Sequence, residues 1–314
     1  MGITKSTLLW ASGNRTLRRL TPRVWFVRRA LSRFMPGERL EDALGAARAF
    51  ADRGIPTTFT HLGENVTDAH ESKAAADHYL HAIERVDRAG LDTEMSVKLT
   101  HLGLDVDLDL AADNLTMLAA RASEREDWVW IDMEAGPYVE PTLEVYRRAL
   151  ERYERVGVCL QAYLHRTPDD VERLLPLGPS IRLVKGAYRE PPEAAIQGKA
   201  EVDAAFLRLS ERLLSGLKEG SVRRFAAASH DLRLLGRAAA ASRELGLSPT
   251  RWEIQMLYGI RHDDQLRLAE RGYPVRTLIS YGPAWYPWYV RRLAEKPGEN
   301  MAYVLRNVFQ RAPG

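Results

Sequence analysis

Residues 95–132 read Met95-Ser96-Val97-Lys98-Leu99, then a helical pattern from Leu108 to about Ala122, then Trp128-Val129-Trp130-Ile131-Asp132. Two short β-branched and aromatic runs joined by a helix-length segment pair in parallel, because the helix returns the chain to the end of the sheet from which it left. Working outward, the unit recurs. Upstream lie the strand pattern 57–62 and a helix over 68–89. Downstream, strand patterns at 157–163, 181–186, 225–230, 252–257 and 275–280 alternate with helices over 140–155, 168–175, 200–217, 232–245 and 263–270, and a last helix follows Ser280. Eight strand-helix units at intervals of about 25 to 35 residues are the arithmetic of a closed (β/α)8 TIM-type barrel. A doubly wound open sheet is the alternative, but Leu62-Gly63-Glu64-Asn65 after the first strand is no GxGxxG loop.

Two helical patterns precede the barrel, one from Pro22 to Phe34 and one from Leu40 to about Asp52, the second ended by Gly54-Ile55-Pro56. The expected organisation is N-terminal helices over 1–54 packed on the barrel, a catalytic barrel over 55–300 whose last helix lies over the mouth, and a C-terminal helical tail over 301–314. The 314 residues are 45% hydrophobic and 28% charged, an ordinary globular balance. Net charge is only +3, which argues against a nucleic-acid partner. The first 39 residues are nonetheless strongly basic, so peripheral contact with an anionic membrane face is one reading of the 22–34 helix and plain packing is the other. A single cysteine, Cys159, excludes an internal disulfide and a CxxC metal or redox site, and fits a reducing, cytoplasmic setting. No run of about 18 apolar residues suits a spanning helix.

In such barrels the chemistry sits at the C-terminal strand ends. All eight predicted strands end in polar residues: Glu64, Lys98, Asp132 with Glu134, Gln161 with Tyr163, Arg182 with Lys185, His230 with Asp231, Gln255 with Tyr258, and Tyr281. Singly, each could be a paired core residue. Together they describe a pocket, since charges buried without partners cost several kcal/mol each. Cations predominate, so the ligand is anionic. Gly186 lets backbone N–H groups approach a phosphate with Lys185 beside them. There is no GxSxG and no HExxH or comparable metal spacing. The adjacent Arg291 and Arg292, with Tyr281, Trp285, Trp288 and Tyr289 as aromatic walls, suit a small, partly apolar carboxylate.

Several motifs in order resemble the proline dehydrogenase family over about Thr58 to Asn300. They are Ser96-Val97-Lys98-Leu99, Ile131-Asp132-Met133-Glu134, Gln161-Ala162-Tyr163, Arg182-Leu183-Val184-Lys185-Gly186-Ala187-Tyr188, Ser229-His230-Asp231, and Tyr289-Val290-Arg291-Arg292-Leu293-Ala294-Glu295. The resemblance implies non-covalent FAD, oxidation of L-proline to Δ1-pyrroline-5-carboxylate, ubiquinone or menaquinone as electron acceptor, and a pyrroline-5-carboxylate dehydrogenase downstream. It implies that Arg291 and Arg292 pair with the substrate carboxylate, with Lys98 and Tyr281 at the substrate end. Arg182 is implied beside the flavin and Asp132 in the polar network. Met133, Gln161, Lys185, Gly186, Ala187, Ser229 and His230 are implied at FAD, and Glu64 as a gating acid. Many relatives have Thr-His-Asn where this chain has Ser229-His230-Asp231.

Two other readings compete: a Schiff-base catalyst using Lys98 or Lys185, and a nucleic-acid or membrane-adhering module built on the basic N-terminus.

Overall fold

The computed structural model describes residues 34–285. Within them a helix α1 (Leu40–Ala51) precedes eight strands: β1 (Thr57–His61), β2 (Thr93–Lys98), β3 (Val129–Asp132), β4 (Val156–Gln161), β5 (Ser180–Val184), β6 (Arg224–Ala228), β7 (Glu253–Leu257) and β8 (Val275–Tyr281). Between them run α2 (Ala69–Arg88), α3 (Leu108–Ser123), α4 (Val139–Leu150), α5 (Thr167–Leu174), α6 (Lys199–Glu219), α7 (Leu232–Glu244) and α8 (His262–Glu270). The strands are parallel and in sequence order, and β1 pairs with β8 to close the barrel. The helices expected after Ser280 and over 22–34 fall almost wholly outside the described residues.

Local chemistry sets the helix starts. The Asp68 side chain accepts from the N–H of His70 and Glu71, Asp107 from Asp109 and Leu110, and Asp231 from Arg233, each satisfying donors that a helix N-terminus leaves open. The 140–155 expectation runs past the observed helix: α4 stops at Leu150 because residues 151–155 carry the chain back to the start of β4. The predicted strands over 157–163, 181–186 and 225–230 likewise end two residues early. There the chain leaves the barrel wall, so Tyr163, Lys185, Gly186, Ser229 and His230 stand on rim loops.

Register divides the strand residues between two faces. Phe59 pairs with Met95 and Ile279, Ile131 with Val158, and Leu183 with Ala227, and these apolar positions face the helices. Together with Tyr79, Tyr146 and Phe206 from the helices they form the main core. The alternate positions face inward and are largely polar, where barrels usually place branched apolar residues.

At the barrel floor, Arg224 donates to Glu94 and to both carboxylate oxygens of Glu253, while Arg276 pairs with Glu94, Glu253 and Asp92. The Trp130 indole N–H donates to Glu94 at 2.7 Å. Gly157 faces that indole so closely that a Cβ there would come within 2.4 Å of the ring. Glycine is required at that point so that the indole can fill the interior.

Candidate active site

Above the floor, three strands bring two cations and one carboxylate together. Lys98 ends β2 and pairs in register with Asp132, the end of β3. Arg182 lies in β5, across the interior. Its Nη2 donates to Asp132 Oδ1 at 2.5 Å and to Ser96 Oγ at 2.7 Å, and its Nη1 donates to Gln255 Oε1 at 3.2 Å. Ser96 Oγ also donates to Asp132 Oδ1 at 2.9 Å, and Lys98 Nζ lies 3.8 Å from Asp132 Oδ2. The Arg182 side chain is 3% exposed and that of Lys98 13%, so one aspartate offsets two poorly solvated cations. A local surplus of positive charge at low dielectric is a receptor for an anion. Trp130 closes the space beneath, with the Arg182 and Arg224 guanidiniums each 5.2 Å from its ring.

Rim loops supply the next layer. Gln161 donates to the Glu134 carbonyl at 2.8 Å and its Oε1 faces the Ala187 N–H at 3.4 Å. Gly186 sits at φ 126°, and a Cβ there would come within 2.2 Å of the Tyr163 ring. Only glycine lets this loop pass over that ring. Lys185 is already engaged, 2.5 Å from Asp203 and 3.6 Å from Asp231. Asp231 is thereby accounted for: it caps α7 and faces Lys185. The Ser229 hydroxyl accepts from the Asp231 N–H, and His230 Nε2 faces the Leu257 N–H at 3.4 Å. Met133 is buried in the core beside Asp132. Burial pushes the Glu134 carboxyl above its ordinary range despite Lys98 and two hydrogen bonds from Thr100. Cys159 is buried beside Arg182, and burial pushes its thiol up.

Two expectations change. Tyr281 does not join the mouth: its ring is fully buried on the outer face of the barrel, edge-on to Phe59, with its hydroxyl bonded to His78 on α2 at 2.9 Å. The alternation along β8 turns it outward and turns Leu278 and Ser280 inward. Trp285 is buried with its indole N–H on Glu38 at 2.9 Å, tying the end of the barrel to the approach to α1. Arg291, Arg292, Trp288 and Tyr289 lie outside the described residues. Ser96 and Trp130 enter the constellation without having been assigned to it from sequence, and Gln255, named only as a polar strand end, joins it through Arg182. Ser96 and Trp130 stand two residues before Lys98 and Asp132, the period-2 signal that would have found them.

Behind the Glu64 loop, three imidazoles from three elements gather. His61 is 4.1 Å from His78 and 5.4 Å from His101, ring centre to ring centre. A Cβ on Gly63 would overlap the His101 ring, so glycine lets this loop lie flat on it. Burial holds His61 down to about 3 and, with Lys98, His101 down to about 4, against an ordinary 6.5. Folding therefore selects the neutral rings. Their contribution is complete above about pH 6.5 and is lost as pH falls toward 4 and 3, at up to about 1.4 kcal/mol per ring per pH unit. His61→Phe and His101→Phe keep a stacking ring without a charge and are expected to flatten the acid limb of a plot of Tm against pH. An acid limb that superimposes on that of the wild type would contradict this account of the cluster.

A parallel barrel whose C-terminal end gathers Lys98, Asp132 and Arg182 defines a class: a barrel enzyme for a small anionic substrate. The comparisons narrow it. The proline dehydrogenase family model matches residues 43–302. Proline dehydrogenase 2 of Bacillus subtilis subsp. natto is 33% identical over 98% of this chain and 99% of its own length. Proline dehydrogenase of Deinococcus radiodurans is 36% identical over 88% and 89%, respectively. The crystal structure of proline utilization A from Bdellovibrio bacteriovorus superposes with a TM-score of 0.79 at 22% identity, covering 98% of this chain and 41% of that one, a likeness of fold. The chain belongs to the proline dehydrogenase family. It is an oxidoreductase with proline dehydrogenase activity, the first step of proline catabolism.

Proposed function

We propose that this enzyme oxidises L-proline to Δ1-pyrroline-5-carboxylate with FAD held non-covalently at the barrel mouth, and passes the electrons to a membrane quinone, ubiquinone or menaquinone. The observation that carries the reading is the Lys98–Asp132–Arg182–Ser96 constellation at the C-terminal end of the barrel of a chain in this family. The donor set fits the cofactor: guanidinium, ammonium and amide groups suit an anionic dinucleotide, and Gly186 lets the Lys185–Ala187 main chain lie close on the Tyr163 ring at the rim. Gln161, Lys185, Gly186, Ala187, Ser229 and His230, with Met133 at the edge, would hold it. FAD, when bound, supplies the acceptor for the hydride that leaves the ring carbon next to the proline nitrogen.

The chain's own groups do the rest. Arg291 and Arg292 pair with the substrate carboxylate, and Lys98 completes that end of the pocket. Lys98 and Arg182 place positive charge near the ring nitrogen, which favours its neutral, reactive form. Asp132 holds both cations in place. Glu64, whose charge acts on both His101 and Glu134, sits on the first rim loop, where it can gate entry. A pyrroline-5-carboxylate dehydrogenase would consume the product, and the basic N-terminal segment would bring the enzyme to the membrane face that holds the quinone.

The test is the visible spectrum of the purified protein under anaerobic conditions. A flavin spectrum that bleaches on addition of L-proline is expected. A colourless protein that still oxidises proline would overturn the cofactor, and lysine trapping by borohydride would favour Schiff-base chemistry instead.

A further inference from the structure

Glu253 and Gln255 stand two residues apart on β7, so both enter the barrel, Glu253 at the floor and Gln255 one layer nearer the mouth. Gln255 Nε2 donates to Glu253 Oε1 at 2.5 Å, and Gln255 Oε1 accepts from Arg182 Nη1 at 3.2 Å. The amide has one workable orientation. Flipped, it would set its NH2 against a guanidinium and its oxygen against a carboxylate, losing both bonds and opposing like partners. Glu253 cannot drift, because Arg224 Nη2 holds both of its oxygens at 2.9 Å. All three residues are nearly excluded from solvent, Arg182 at 2%, Gln255 at 4% and Glu253 at 9% exposed. In that setting an unmade hydrogen bond is not replaced by water.

Asp132 and Ser96 both bind Nη2, while Cys159 and the Trp130 ring touch the guanidinium from the sides, and none of these charged or hydroxyl bonds fixes Nη1. Gln255 binds that other terminal nitrogen and fixes it. We propose that Gln255 is a positioning residue of the reaction: anchored to the charged floor through Glu253, it fixes the edge that Arg182 turns toward the mouth. The inference rests on the reading of Arg182 as the cation beside the reacting rings. It gives the polar barrel interior a role beyond filling space, since the floor becomes the fixed end of a chain of bonds that reaches the site.

Two variants test it. Gln255→Leu removes both bonds at similar volume. It is expected to lower kcat for L-proline oxidation about 10- to 100-fold, the effect of a small misplacement in a closed site, with a smaller change in KM. Its crystal structure is expected to show the Arg182 guanidinium rotated away from its wild-type plane. In Gln255→Glu the protonated side chain can still donate to Glu253 and accept from Arg182, whereas the ionised one cannot donate. This variant is expected to gain an ionisation absent from the wild-type pH profile, with kcat falling as pH rises through it. An unmoved guanidinium with kcat within about twofold of wild type in Gln255→Leu, or a Gln255→Glu profile that superimposes on that of the wild type, would overturn the proposal. Failure of the cofactor reading shows separately, as a wild-type protein without a flavin spectrum, while the Arg182 position in Gln255→Leu crystals judges Gln255 alone.

Discussion

Asp132→Ala is expected to lower kcat/KM for L-proline at least about 100-fold, equivalent to roughly 2.7 kcal/mol of transition-state stabilisation. Among the described residues, Asp132 is the carboxylate that both accepts from Arg182 at 2.5 Å and forms an ion pair with Lys98 at 3.8 Å. Without it, two cations face each other across a poorly solvated mouth with Ser96, Gln255 and Cys159 as neutral partners of Arg182, and breaking a buried pair on one side costs about 3–5 kcal/mol. Part of that loss is expected as lowered stability. Asp132→Asn keeps the side-chain volume and an acceptor for Ser96 but removes the charge, so it is expected to recover only the packing and hydrogen-bond part of the stability and none of the activity. Steady-state kinetics beside thermal unfolding of both variants make the measurement. Activity within threefold of wild type in Asp132→Ala would remove Asp132 from the site.

Arg292→Met carries the second large effect. On the reading of adjacent guanidiniums as a carboxylate clamp, losing one is expected to weaken binding by about 2–4 kcal/mol. That is an increase in KM for proline of about 30- to 1,000-fold. Methionine keeps much of the length and the apolar body of the side chain, so the loss reports charge and hydrogen bonding. The same substitution is expected to leave the absorption spectrum of the resting enzyme unchanged, which distinguishes a substrate contact from a collapsed cofactor site. An unchanged KM would exclude Arg292 from the clamp.

The barrel was legible because its two periodicities are written in residue types. Runs such as Trp128 to Asp132 alternate with helices capped by Asp68, Asp107 and Asp231, and eight such units admit few arrangements. The charged mouth was legible for the same reason: a strand known to be parallel exposes its last residues on a known side. What the sequence hid depends on which face of a strand a residue occupies and on what stands across the barrel. Tyr281 was expected at the mouth because it ends β8, but it has the parity of Ile279 and Thr277, which puts it against α2. Arg276, Arg224, Glu94 and Glu253 read as unremarkable charges near strand starts, yet they close the floor, since their ion-pair partners lie up to 184 positions away. Gln255 was visible as a polar strand residue. Its bond to Arg182 spans 73 positions and has no local signature. The three histidines come from β1, α2 and the turn after β2, and meet once β1 and β2 have paired.

On the proposed function, proline is oxidised at the mouth formed by Lys98, Asp132 and Arg182. The most direct measurement is a crystal structure of the flavin-loaded enzyme with a five-membered cyclic carboxylate that lacks the reactive ring nitrogen. The ring is predicted to lie over the flavin beside Lys98, Asp132 and Arg182, with its carboxylate on Arg291 and Arg292. A ligand bound anywhere else, or both arginines standing in solvent while the mouth is filled, would contradict it.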